Sequence, residues 1–306
     1  MRIVFYALVT GISAIVTFGL SVLIWKLSTR YRLYPTIRER DVHTRPTPRL
    51  GGIAMFIGML VAFAVASFIP ELSLVFADSG KVFGLLGAAL IIVLIGVADD
   101  LWDLDWITKL AGQIIAAGIL AWQGIQLSTL PIGGQTIVSP YISLTITVLA
   151  VVLVMNAINF IDGLDGLVAG VALIANSVFF VYTYILQLQA QTEYFNLASL
   201  IAAVLVGACA GFLPLNFHPA KLFMGDAGAL LVGLMMAASA ILVTGQVDPG
   251  IVAQPDVYTA YFLPAFIPIL LPFAVLVVPL LDFGLAVIRR LRAGKSPFSA
   301  DRKHLH

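Results

Sequence analysis

Charge is scarce in this chain. Asp, Glu, Lys and Arg together make up 11% of its 306 residues, where an average soluble domain carries about a quarter. Hydrophobic residues make up 60% and the mean hydropathy is +1.03, which excludes a soluble globular domain and a disordered chain and places the protein in the membrane. There is one cysteine, Cys209, inside an apolar run, so neither a disulfide framework nor a cysteine-based zinc site can form within the chain. The four histidines, two of them only two residues apart at His304 and His306, make a poor zinc set. The formal net charge of +1 carries no argument for a nucleic-acid partner, and none is expected; in a membrane protein the informative quantity is where the charges lie. No low-complexity tract, internal repeat or soluble segment stands out, so residues 1–306 are read as a single integral membrane domain.

A helix needs about 20 apolar residues to cross a hydrocarbon layer roughly 30 Å thick. Nine stretches qualify, at about 3–27, 50–69, 82–98, 107–124, 143–158, 166–187, 197–217, 227–247 and 263–288. The first is long for a cleavable signal and is read as a retained helix. Counting sides across nine spans puts Arg2 and Lys81 on one side and the other fifteen of the seventeen Lys and Arg on the opposite side. The positive-inside rule makes the basic side cytoplasmic and the N-terminus external. All four histidines and eleven of the sixteen acids fall on that same basic side. On the outer side, residues 126–141 alternate apolar and polar around Gly133-Gly134, a β-hairpin signature with a plain connecting loop as the equal alternative.

The polar residues form five clusters. Asp99-Asp100 ends the third span, at the interface, where the roughly 3 kcal/mol cost of a mid-membrane Asp is largely avoided. Their mutual repulsion calls for a cation, a lysine or a proton held between them, and Lys109 is the nearest candidate; a bare helix cap is the bland alternative. In the run 156–166 (NAINFIDGLDG), Asn156, Asn159, Asp162 and Asp165 recur every three residues, each turned about 60° from the one before around a helix. Three can share a face, and the fourth requires the helix to end, which Gly163 and Gly166 allow. Such oxygen-only donors suit a hard cation such as Mg²⁺, with polar helix packing as the alternative. Asp226, in FMGDAG at 223–228, opens the eighth span, where a helix N-terminus favours phosphate, or where Asp226 serves as a simple N-cap. The tail 297–306 sets Arg302 and Lys303 beside His304 and His306, suited to phosphate contact and proton transfer or to resting on anionic lipid.

Taken together, RPTPRLGG at 45–52, GVADD at 96–100, the run 156–166, NFHPAKLFMGDAG at 216–228 and PFSADRKHLH at 297–306 resemble the polyprenyl-phosphate N-acetylhexosamine-1-phosphate transferase family (glycosyltransferase family 4), in the family's order and from end to end. The resemblance implies an all-α polytopic membrane protein of nine to ten transmembrane helices with a cytoplasmic-face active site in the bacterial inner membrane. It further implies that a polyprenyl phosphate, undecaprenyl or decaprenyl, attacks the β-phosphorus of a UDP-N-acetylhexosamine and releases UMP, with Mg²⁺, or Mn²⁺ in its place, as cofactor. Homodimerisation is an open option.

Carried over by motif, Asp99, Asp100, Asp162 and His304 form the catalytic set. Lys109, Asn156, Asp165, Phe223, Arg302 and Arg49 bind substrate, with Asp165 on uracil and Phe223 stacked on its ring. Asp226 and Asn159 hold the metal. A phosphate monoester with a second pKa near 6 is largely dianionic at neutral pH, which leaves Asp99 and Asp100 open to either a basic or an electrostatic role.

TPRLGG at 47–52 and a tail without three consecutive histidines look like the branch that uses UDP-N-acetylglucosamine (WecA and TagO). The phospho-MurNAc-pentapeptide transferase branch (MraY) is the alternative. From other classes, the alternatives are a cation-coupled transporter, whose acids would lie near mid-membrane, and a non-catalytic scaffold. Pro264, Pro268, Pro272 and Pro279 in the ninth span should bend it and open a groove for the prenyl chain.

Overall fold

A computed structural model describes residues 2–31, 47–127, 139–190, 196–244, 277, 281 and 284–294. The described residues are helical, with no strand among them. The helices are α1 (Arg2–Tyr31), α2 (Gly51–Ser67), α3 (Ser79–Trp102), α4 (Trp106–Trp122), α5 (Pro140–Ile161), α6 (Leu167–Ala190), α7 (Asn196–Asn216) and α8 (Gly225–Thr244), with a short 3-10 helix, Pro70–Phe76, after α2.

The first eight expected apolar stretches are therefore all helical. Among the described residues, six helices are long and apolar enough to cross a membrane, or seven if α2 and the 3-10 helix, bent 113° from it, make one span. The multi-pass expectation stands at that count. The ninth stretch, apart from residues 277, 281 and the helical 284–288, and residues 128–138 of the expected hairpin lie outside the described residues, while residues 140 and 141, expected in the hairpin, begin α5.

Local sequence explains the helix ends. Asp78 caps α3 by accepting from the Lys81 N–H, and Asp105 caps α4 by accepting from the Thr108 N–H at 3.0 Å and its hydroxyl at 2.6 Å. Pro140 begins α5, where its missing N–H costs nothing. Asp103 closes α3 in the left-handed region at φ 55°, and its N–H donates to the Asp99 carbonyl.

The helices pack around α8. Of its apolar membrane window 89% is buried, against 78% for α7 and 22% for α1, so α8 is the central post and α1 faces outward. Helices α5, α3, α7 and α2 all pack against it. Small residues set the spacing: a side chain at Gly207 or Gly211 of α7 would overlap the α1 carbonyls of Thr10 and Ala14. Between the same two helices, Thr10 and Ser13 donate to the carbonyls of Ala203 and Val204 at 3.0 and 2.8 Å. Close backbones and interhelical hydrogen bonds replace the hydrophobic drive that lipid cannot supply.

Candidate active site

One end of this bundle gathers the polar clusters. Asp99, in the last turn of α3, accepts from the Leu104 N–H at 2.8 Å through Oδ1 and from Lys109 Nζ at 2.9 Å through Oδ2. Lys109, in the first turn of α4, also reaches Asp226 Oδ2 at 3.2 Å. Asp226, in the first turn of α8, is in side-chain hydrogen-bond contact with Asp99 and with Asn159 of α5. Four helices thus contribute one polar group each to a single point. The side chains of Lys109 and Asp226 are each 28% exposed, so the cluster is open to water at its rim while Asp99 sits deeper. Two carboxylates this close repel unless a cation stands between them, and the ammonium of Lys109 does so.

Of the partners expected for the Asp99-Asp100 pair, Lys109 reaches Asp99, while Asp100, turned to another side of the helix, has different partners. Asp100 Oδ1 accepts from the Asp226 N–H at 3.1 Å and Oδ2 from the Ala227 N–H at 3.4 Å. Two of the amides that a helix start leaves unpaired are thereby satisfied. At this helix start, where phosphate is expected from sequence, a carboxylate of the chain accepts from two of the amides.

Backbone pairing holds the neighbourhood together. The Phe223 N–H donates to the Pro48 carbonyl at 2.8 Å, and the N–H groups of Gly51 and Gly52 donate to the carbonyls of Phe223 and Met224 at 3.0 and 2.9 Å. This stitch brings Arg49 close enough to act electrostatically on Asp162, and it leaves Phe223 half-buried beside the acids. Gly225 takes φ +70°, and a side chain there would overlap the Asp100 carboxylate and the Arg49 carbonyl, so the turn into α8 requires glycine.

The four residues of the 156–165 run fan out to four environments. Asn156 donates to Gln113 Oε1 of α4 and to the Val152 carbonyl, at 2.5 and 2.8 Å, which joins α5 to α4. Asn159 meets Asp226. Asp162 follows the last residue of α5, half-buried; burial above all, and then the charge of Asp226, push its carboxyl up to about 7, against the pull of Arg49. Asp165 Oδ2 accepts from the Ala220 N–H at 3.0 Å and lies 2.9 Å from His218 Nδ1, which ties the α7–α8 loop to the start of α6. Gly166, at φ +74°, donates to Asn216 Oδ1, whose amide nitrogen donates to the Leu222 carbonyl.

Gln113, Asn216 and His218 were not singled out from sequence as site residues. A lone Gln in an apolar span carries no periodic signal, although Asn216 and His218 open a quoted motif. Arg302 and His304 fall outside the described residues. Arg290 of the helical stretch 284–292 lies over the Phe160 ring at 4.9 Å, which brings that stretch to the tip of α5.

Among the described residues no group of three or more His, Cys, Asp or Glu is arranged to hold a metal. The donors that do converge are the carboxylates of Asp99 and Asp226 and the Asn159 amide, with Lys109 where a cation would balance them. Few hard oxygens and an open rim fit Mg²⁺, which keeps several waters and takes phosphate oxygens as further ligands.

A family model described as "Glycosyl transferase family 4" matches residues 82–244, more than half of the chain. The chain is 42% identical over 305 residues to the decaprenyl-phosphate N-acetylglucosaminephosphotransferase of Mycobacterium leprae (strain TN), covering 98% of this chain and 75% of that protein. It is 43% identical to the protein of the same name from Mycolicibacterium smegmatis, covering 98% and 74%. Its identity to the phospho-N-acetylmuramoyl-pentapeptide-transferase of Halalkalibacterium halodurans is lower, 33%, covering 77% and 74%. The matched region holds most of α3 and all of α4 to α8, and with them Asp99, Lys109, Asn159 and Asp226, and on these grounds the chain belongs to glycosyl transferase family 4.

Proposed function

We propose that this protein transfers N-acetylglucosamine 1-phosphate from UDP-N-acetylglucosamine to a polyprenyl phosphate. A lipid phosphate oxygen forms a bond to the β-phosphorus, the bond from that phosphorus to the bridging oxygen breaks, and UMP leaves with the electron pair. The observation that carries this reading is the convergence of Asp99, Lys109, Asn159 and Asp226 from four helices at one partly exposed point. Phosphoryl transfer depends chiefly on positioning and charge neutralisation, and this set is suited to both. The names of the relatives at 42% and 43% identity support the sugar and make decaprenyl phosphate the acceptor of choice; the pentapeptide transferase is the more distant likeness.

Mg²⁺, when bound, would supply charge neutralisation across the two phosphates. Asp226, Asn159 and Asp99 would hold it, and Lys109 would turn toward phosphate oxygens. Arg49 and Asp162 line the approach from α2 and α5. The finer topology belongs to the same reading: nine spans, the site at the cytoplasmic face of the inner membrane, a hairpin at 126–141 outside, and a proline-bent ninth span that admits the prenyl chain. A transporter is disfavoured because the acids collect at one end of the bundle rather than at mid-depth.

The test is release of UMP from UDP-N-acetylglucosamine by the purified protein with decaprenyl phosphate and Mg²⁺. Wild type should turn over and Asp99→Asn should lose more than about a hundredfold, the scale at which electrostatic groups act in such sites. Binding of the nucleotide sugar with no UMP from wild type would leave a scaffold instead.

A further inference from the structure

The paired aspartates have divided their labour. We propose that Asp100 is a positioning residue, which caps α8 from α3 and thereby fixes the Asp226 carboxylate where, with Asp99 and Asn159, it would hold Mg²⁺. This rests on the function proposed above.

Helix α8 starts without a cap of its own. Met224 precedes its first residue, Gly225, and a thioether is no substitute for the Ser, Thr, Asp or Asn that ordinarily accept from the first amides. Asp226, the nearest acid, is turned to Lys109 and Asn159. The acceptor comes instead from a residue 126 positions earlier. Its two hydrogen bonds go to the N–H groups of Asp226 and Ala227, the amides on either side of the Asp226 α-carbon. Holding both peptide planes leaves the Asp226 side chain little freedom except rotation about its own bonds.

The packing is built for this contact. Gly96 lies one turn before Asp100, on the same face of α3, and a side chain there would overlap the Ala227 backbone. Gly225 has no Cβ at the point where the Asp100 carboxylate sits. Asp99, about 100° further around the helix, is thereby turned to Lys109.

The experiment compares wild type, Asp100→Asn and Asp100→Ala in detergent, with two readouts: Mn²⁺ affinity from the electron paramagnetic resonance signal of free Mn²⁺, with no substrate present, and UMP release. Asn is isosteric and caps helices about as well as Asp, so it should keep Mn²⁺ affinity and kcat within about tenfold of wild type. Ala leaves two partly buried donors without this acceptor and should weaken both readouts by about a hundredfold. If Asn loses turnover as completely as Ala while both bind Mn²⁺ like wild type, Asp100 acts by its charge on the substrate and the proposal is overturned. Should Ala not fold, the Asn variant decides alone: retention of both readouts supports the cap, and intact Mn²⁺ binding with turnover lost refutes it. Wild type that binds Mn²⁺ but releases no UMP would sink the proposed transfer reaction, and the Mn²⁺ series would still decide the role of Asp100.

Discussion

At the scale of single residues, the ends of helices carry the polar groups. Asp162 sits just beyond α5, and its burial and the nearby Asp226 hold its carboxyl up to about 7, well above the value of 3.8 for a free side chain. The folded state therefore keeps this proton between about pH 4 and 7 while the unfolded chain has released it, so stability falls as pH rises through that window and the full penalty stands above pH 7. Asp162→Asn should accordingly unfold at a higher temperature than wild type at pH 8, by a few degrees, and show little difference at pH 4. Thermal unfolding at the two pH values without divalent cation checks this; an equal shift at both would show that the Asp162 proton is not linked to folding. Asp99, Asn159, Asp162 and Asp226 are legible in sequence as residue types in polar clusters, and Gln113 is not. What each one touches is not legible there.

At the scale of elements, glycine contacts set the register. Gly96 of α3 meets the Ala227 backbone, and Gly52 of α2 meets Gly228, so three helix ends close on one another with no side chain between. Gly87, in the same α3, faces open space. Gly96→Leu should therefore push α3 from α8 and destabilise the protein by more than about 3 kcal/mol, the range of severe overpacking. Gly87→Leu should be near neutral, and comparing the unfolding midpoints of the two variants tests the contact. The helices themselves were readable, because apolar runs and turn residues are local signals. Their facing was not: helices that are apolar all round carry no stripe to say which side meets a neighbour. The 156–165 run illustrates this, since a three-residue period that could have meant one ligand set serves instead a Gln113 contact, the Asp226 cluster, the Arg49 neighbourhood and the His218 loop.

At the scale of the whole molecule, the prediction concerns sidedness. Lys81 at the start of α3 and Lys221 in the loop before α8 lie at opposite ends of helices that bound the site. Cys209 is fully buried, so single-cysteine variants can be labelled without removing it. A membrane-impermeant maleimide should label Lys81→Cys on intact cells, and Lys221→Cys only after permeabilisation. The reverse pattern would put the acidic cluster outside. The membrane class, the helices and the clustering of polar motifs are written in local sequence, because hydropathy and turn chemistry act over a few consecutive residues. Only the tertiary structure decided that Asp99 grips Lys109 and Asp226 while Asp100 caps α8, because adjacent side chains diverge around a helix and their partners are chosen by how rigid helices dock through backbone contacts.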